Sequence, residues 1–258
     1  MKKLIIILLF VTSFVQAQFC ALPISQMGVA INTDFVSTWR TATNNETITV
    51  PTRSGFAYEC DVDWGDGNVE IMSGYDDAKW THAYVDSGDY EVTIEGTFET
   101  FYFNNAGDKL KLISISNLGF VGWASFEKAF YGCTSLNSVT GDADTSLVTS
   151  MYKMFQGCSS MTTAPATATW DTSLVTSMSF MFCGCNSMTT APTFSTTNSV
   201  KLANVSQMFS SIGSGMTGTV TEFWDTNNFP NITSYGSFAT GATGLDNYAD
   251  IPDAWKGL

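Results

Sequence analysis

From residue 56 to residue 64 apolar and polar side chains alternate. Phe56, Tyr58, Cys60, Val62 and Trp64 share one face of an extended chain, and Ala57, Glu59, Asp61 and Asp63 share the other. The pattern predicts a strand with one buried and one wetted face. Thr47-Ile48-Thr49-Val50 and Tyr90-Glu91-Val92-Thr93-Ile94 predict two more strands beside it. Asp63-Trp64-Gly65-Asp66-Gly67 supplies glycines for a tight turn. Leu110, Leu112, Ile113 and Ile115 open a further strand-like passage.

Beyond residue 122 the pattern becomes a repeat. Phe130-Tyr131-Gly132-Cys133-Thr134-Ser135-Leu136 returns as Phe155-Gln156-Gly157-Cys158-Ser159-Ser160-Met161 and again as Phe182-Cys183-Gly184-Cys185-Asn186-Ser187-Met188. Looser copies at 209–216 and 238–245 each carry one inserted residue. Successive phenylalanines are 25, 27, 27 and 29 residues apart. A near-fixed period of this size predicts stacked units that bury nothing alone and share a continuous core. Phe130, Phe155, Phe182, Phe209 and Phe238 should form one column, and Leu136, Met161, Met188, Met216 and Leu245 another. Each unit reads as a short extended stretch (148–151, 175–178), a tight helical or turn-like piece (154–158), and a Thr-Ala-Pro loop.

Two resemblances follow from these residues. The Trp64-Gly65-Asp66-Gly67 turn, with Thr81-His82-Ala83-Tyr84 and Gly88-Asp89-Tyr90-Glu91-Val92, resembles a PKD (polycystic-kidney-disease) domain, departing at Ala83, where that family usually has Thr. It implies an immunoglobulin-like β-sandwich. Trp170-Asp171-Thr172-Ser173-Leu174-Val175-Thr176-Ser177-Met178 followed by Met181-Phe182-Cys183-Gly184-Cys185 resembles the repeat of BspA-like leucine-rich-repeat bacterial surface proteins. The last two repeats depart from it by losing the Gly-Cys pair. This resemblance implies a secreted or surface protein that binds other molecules, often in adhesion, with no cofactor and no catalytic residue. The expected fold is mainly β: an immunoglobulin-like β-sandwich, then a short leucine-rich-repeat-like solenoid with a parallel sheet. The expected division is a signal peptide at 1–17, an N-terminal segment at 18–33, the PKD-like sandwich at 34–100, a junction at 101–122, and the repeat solenoid with its C-terminal cap at 123–258.

The signal peptide rests on Lys2 and Lys3, the apolar run at 4–15 and the small-residue site ending at Ala17. Phe19 before Cys20 argues against lipidation, and no later stretch is apolar enough to anchor in a membrane. A net charge of −13 argues against nucleic acid, whose phosphates need a basic surface. Six cysteines in an exported chain raise the question of disulfides. Cys133, Cys158 and Cys185 should stack at about 4.8 Å and read as buried free thiols, while Cys20 and Cys60 are a conceivable pair.

The expected function is binding of an extracellular protein or glycan through the solenoid. The alternatives are recognition of an ordered surface (ice or a polysaccharide) and, behind it, a secreted hydrolase. Candidate ligand-facing residues are Thr149, Thr176, Ser206 and Thr233, which recur as a hydroxyl ladder, with Trp170 and Trp224 as aromatic contacts. Asp61, Asp63, Asp66 and Glu70 form the densest carboxylate group, open to calcium binding or to turn formation. His82, the lone histidine, lacks a nucleophile in a matching pattern and reads as structural.

Overall fold

The structure is a computed structural model that describes residues 33–195 and 199–257. The expected signal peptide, the segment from residue 18 to residue 32 and Cys20 lie outside the described residues. The fold is mainly β. Among the described residues eight strands run as β1 (Phe35–Thr41), β2 (Thr47–Thr49), β3 (Tyr58–Asp63), β4 (Val69–Ser73), β5 (Thr81–Ala83), β6 (Gly88–Phe98), β7 (Leu112–Asn117) and β8 (Ser138–Val139). A single-turn helix, α1 (Asp253–Lys256), lies near the C-terminus.

Six strands form one mixed sheet in the order β4-β3-β6-β1-β7-β8, and β2 and β5 form a separate antiparallel ribbon. The alternation in β3 is realised: Tyr58, Cys60 and Val62 are buried while Glu59, Asp61 and Asp63 are exposed. Ile48 and Trp80 join Tyr58, Trp64 and Phe98 in the core, so the ribbon side closes over the sheet's apolar face. The opposite face is acidic. Glu95 stands directly across from Asp61, beside Glu59, Asp63 and Glu91, all exposed.

β7 joins the two patterns of the chain. It pairs antiparallel with β1 and parallel with β8, where Ser114 faces Ser138 and Ile115 faces Val139. From β8 onward the same parallel pairing continues as backbone bonds from one repeat to the next: Thr162 N to Asn137 O, Thr189 N to Thr162 O, and Thr217 N to Thr189 O. A second ladder runs through Ala124, Thr149, Thr176, Ala203 and Thr233. The extended stretches expected at 148–151 and 175–178 reduce to single parallel bridges, Ser150 to Ser177 to Asn204 to Ser234. The reason is local. Three residues after each bridge the chain enters the left-handed region, at Lys153, Phe180, Gln207 and Ser237, as it does at Lys128 in the first repeat, and no strand continues through that conformation.

The core is continuous from sheet to repeats. Phe101 packs on Phe35 at 5.2 Å and on Phe130 at 5.5 Å, and Phe103 packs on Trp39 at 5.9 Å. Segment 99–105 bonds to the first repeat as that repeat bonds to the second, through Ala124 N to Glu99 O, Phe103 N to Ala129 O and Asn105 N to Tyr131 O. Part of the expected junction is therefore a rung of the stack, supplied by the sheet.

The phenylalanine column forms as expected through its first four members. Ring centroids are 5.5, 5.6 and 5.7 Å apart with interplanar angles of 14°, 17° and 2°. Its fifth member needs correcting. Phe209 N bonds to Phe238 O just as Phe182 N bonds to Met208 O, so Phe238 stands in the methionine column of Met154, Met181 and Met208. Ala239 takes the phenylalanine position, and Phe238 meets Phe209 edge-on at 88°. Counted from Ala239, the last repeat has no insertion. Beyond it Trp255 stacks on Tyr235 at 4.5 Å and edges onto Phe238, while the Asn247 amide clamps Val220 N and O, closing the stack.

Candidate functional site

The expected hydroxyl ladder is only partly in register. Thr149, Thr176 and Thr233 are exposed on one ladder, with the Thr149 and Thr176 hydroxyls donating to the carbonyls of Ala124 and Thr149 at 3.4 and 3.2 Å. Ser206 is not on it; that position belongs to Ala203. Ser206 lies three residues on, in the column of Tyr152 and Ser179, and its backbone N–H is capped by Asn204 Oδ1 at 3.0 Å. A second hydroxyl column not expected from the sequence, Thr162, Thr189 and Thr217, is exposed below Asn137. Trp170 does not face a ligand: it is 1% exposed and packs on Phe126 at 5.9 Å, because its repeat turns the indole into the core. Trp224 is partly buried in the aromatic lid against Phe238 and Trp255.

The carboxylate group does not converge. Asp63 Oδ1 accepts from Gly65 N at 2.9 Å, and Glu70 accepts from the Trp64 indole at 3.1 Å. Asp66 accepts from Asn68 and pairs with His82 Nε2 at 2.8 Å. Burial pushes the Asp66 carboxyl up, but the His82 and Asn68 hydrogen bonds outweigh it and hold the group below the ordinary aspartate value. His82 itself stacks on Trp64 at 4.8 Å and edges Tyr84 at 4.7 Å. The arrangement locks a turn against a strand. Among the described residues no group of three or more His, Cys, Asp or Glu is placed to hold a metal ion.

The described cysteines are free. Cys158 Sγ donates to Phe130 O at 3.2 Å and Cys185 Sγ to Phe155 O at 3.1 Å, so each thiol ties its repeat to the one before. Burial raises the thiols of Cys133, Cys158 and Cys185 far above their ordinary value, which removes the reactive thiolate. Cys183 is half-buried; burial raises it too, opposed by Lys153 and a hydrogen bond from Gln156.

The most distinctive surface lies at the left-handed turns. Lys128, Lys153 and Phe180 adopt φ of 55°, 59° and 59° in successive repeats. Each conformation costs about 1 kcal/mol for a residue with a Cβ. Inter-repeat bonds offset that cost, from Lys128 N to Tyr152 O, Lys153 N to Ser179 O and Phe180 N to Ser206 O. The turns aim their side chains along one edge. Arg53 lies 4.4 Å from the centre of the Tyr102 ring, and Lys128 lies between Tyr102 and Tyr152 at 5.8 and 6.0 Å. Lys153 sits among three rings, Tyr131, Tyr152 and Phe180, at 5.2, 5.3 and 5.1 Å. Arg53 and Lys128 share Glu127 at 3.3 and 3.8 Å, whereas Lys153 has no ion pair among the described residues. Tyr102, Tyr131, Tyr152 and Phe180 are partly exposed and stand outside the core cluster; Tyr152 meets Phe180 edge-on at 6.1 Å, and the charged ends of Arg53, Lys128 and Lys153 lie over the rings. Three of the nine basic residues after position 32 thus gather on one edge of an acidic chain.

None of these residues is among the ligand-facing positions expected from the sequence. The signal was present: aligning repeats on their phenylalanines puts Lys128, Lys153, Phe180 and Gln207 in one column. No helix among the described residues is long and apolar enough to cross a membrane. No curated protein and no solved structure matches the chain. One family model matches residues 103–245, more than half of the chain and almost the span of the stack from the rung at 99–105 to Leu245. The chain therefore belongs to the family described as "Mycoplasma protein of unknown function, DUF285".

Proposed function

We propose that this protein is a secreted or cell-surface binding protein, non-catalytic, that recognises an extracellular protein or glycan through its stacked repeats. The observation that carries the reading is the cation–aromatic edge built by Arg53, Tyr102, Lys128, Tyr131, Tyr152, Lys153 and Phe180. Aromatic side chains left outside the core and interleaved with cations are costly to keep in water and characteristic of contact surfaces. The repeats act as a leucine-rich-repeat-like solenoid, and the sheet with its β2–β5 ribbon acts as an immunoglobulin-like module that starts the stack. The N-terminal sequence supports export, and the thiols of Cys60, Cys133, Cys158 and Cys185 tolerate an oxidising compartment because they are buried. The carboxylates at 61–70 serve the turn and the wet sheet face rather than hydrolysis.

The test is a glycan and extracellular-protein array probed with the full chain and with Tyr131→Gln/Tyr152→Ser. Those replacements copy side chains that other repeats already carry at the same positions, Gln156 and Ser179. Retained melting temperature with lost binding is expected. Undiminished binding by the folded variant would remove the edge from the reading.

A second reading, an ordered-surface binder, is favoured by the exposed Thr162, Thr189 and Thr217 column. Against it, the Thr189 and Thr217 hydroxyls already donate to the preceding repeat at 3.3 and 3.2 Å. A thermal-hysteresis measurement that shows no activity ends its ice form.

A further inference from the structure

We infer that the cation–aromatic edge takes an acidic polysaccharide, a chain of uronate sugars laid along the first three turns of the stack. This rests on the binding role proposed above and narrows it to one ligand chemistry.

Three observations point the same way. First, rings and cations alternate along the edge in the direction of stacking: Arg53 and Tyr102, then Lys128 and Tyr131, then Tyr152 and Lys153, then Phe180. A pyranose offers the C–H groups of one face to an aromatic ring, and a uronate adds one carboxylate per sugar. An edge that repeats ring and cation over three successive steps, closed by the Phe180 ring, matches that chain unit by unit. Three turns span about 10–15 Å at strand spacing, enough for a few sugars.

Second, Lys153 has three rings about it and no carboxylate partner among the described residues. A cation already stripped of part of its water by aromatic neighbours gains more from an arriving carboxylate than a fully hydrated one does. The remaining charge of the molecule sharpens the choice. Glu59, Asp61, Asp63, Glu91 and Glu95 make the solvent face of the sheet repel an anion, leaving the edge as the basic landing site.

Third, the backbone at this edge is not available to a peptide. The N–H groups of Lys128, Lys153 and Phe180 are all spent on the next repeat, so a peptide strand finds no donors for main-chain pairing there. Further along, the equivalent positions become Gln207, Ser206 and Ser210, and the cationic and aromatic character stops. The site therefore has a defined length.

The experiment measures binding of the full chain to oligogalacturonate, to its fully methyl-esterified form, to a neutral cellulose oligosaccharide and to poly-glutamate, at low and high salt. The variants are Lys128→Gln/Lys153→Gln and Tyr131→Gln/Tyr152→Ser. Gln207 already holds the same left-handed position at φ 55°, so the glutamine pair keeps the turn. Expected is binding to oligogalacturonate, weakened roughly tenfold or more by either variant and by salt, and weakened equally by esterification. Equal binding of the esterified or neutral sugar would overturn the anionic class while leaving a glycan-binding protein. Preference for poly-glutamate would overturn the glycan. Oligogalacturonate binding that both variants retain would overturn the site. No binding to any of the four probes would overturn the inference, and the array above would then decide the broader reading separately.

Discussion

Replacing Phe182 by alanine tests whether the stack and the sheet are one physical unit. Phe182 is fully buried between two parallel rings, Phe155 at 5.6 Å and Phe209 at 5.7 Å, with Phe194 at 6.5 Å beside it. Truncating a buried phenylalanine costs about 3–5 kcal/mol through lost burial and the cavity left behind. Each stacked pair adds roughly 0.5–1.5 kcal/mol beyond area. The terms overlap, so a total near 4–6 kcal/mol is expected, a large part of the stability of an ordinary domain. Phe182→Leu, which keeps most of the volume, should cost under about 1.5 kcal/mol. Urea unfolding followed by far-ultraviolet circular dichroism and by tryptophan fluorescence reads both ends of the molecule, since Trp39, Trp64 and Trp80 lie with the sheet and Trp170 lies in the stack. Because β7 is shared, both signals should shift together. A loss below about 2 kcal/mol, or a sheet transition that stays put while the stack melts early, would refute the reasoning.

Two further outcomes follow from the polar and thiol chemistry. In the native protein an alkylating reagent should modify Cys183 well ahead of Cys133, Cys158 and Cys185, with all of them equalised in denaturant; peptide mass spectrometry reads the order, and early labelling of Cys158 would contradict the buried column. Asp66 has a folded pKa below its unfolded value, so its contribution is complete above about pH 4 and is lost as pH falls through the folded value. The stability gap between the wild type and Asp66→Asn should therefore narrow from pH 7 toward pH 3, and a gap that widens on acidification would show that the His82 contact does not stabilise the carboxylate.

The alternation in β3 was legible because one of its faces is wet, and period-two patterning survives wherever a sheet has a dry and a wet side. β1 carries no such mark in the sequence. Phe35, Val36, Ser37 and Trp39 are all buried between β6 and β7, so no polar face marks it. The repeats were legible in their core letters, and the phenylalanine and cysteine columns formed where the period put them. Sequence and structure part only where letters change: alanine at 239 hides the true fifth position, and the hydroxyl of Ser206 resembles the ladder threonines although backbone bonding gives that place to Ala203. The cation–aromatic edge escaped for a different reason. Alignment on the phenylalanines gives the Lys128, Lys153 and Phe180 column, but Arg53 and Tyr102 come from two segments outside the repeats, and only three-dimensional stacking brings them beside it.

The closed ends of the stack bear on how such a chain can change its length. Phe101 and Phe103 seal one end and the Tyr235–Trp255 pair seals the other. A copy of the repeat added after the lid would meet a finished surface with no phenylalanine to stack on. A copy inserted between Phe155 and Phe182 would find parallel rings and matching backbone donors on both sides. Lengthening by duplication is therefore open in the middle of this array and shut at its termini, so gain or loss of repeats should leave the first and last units as the constant ones.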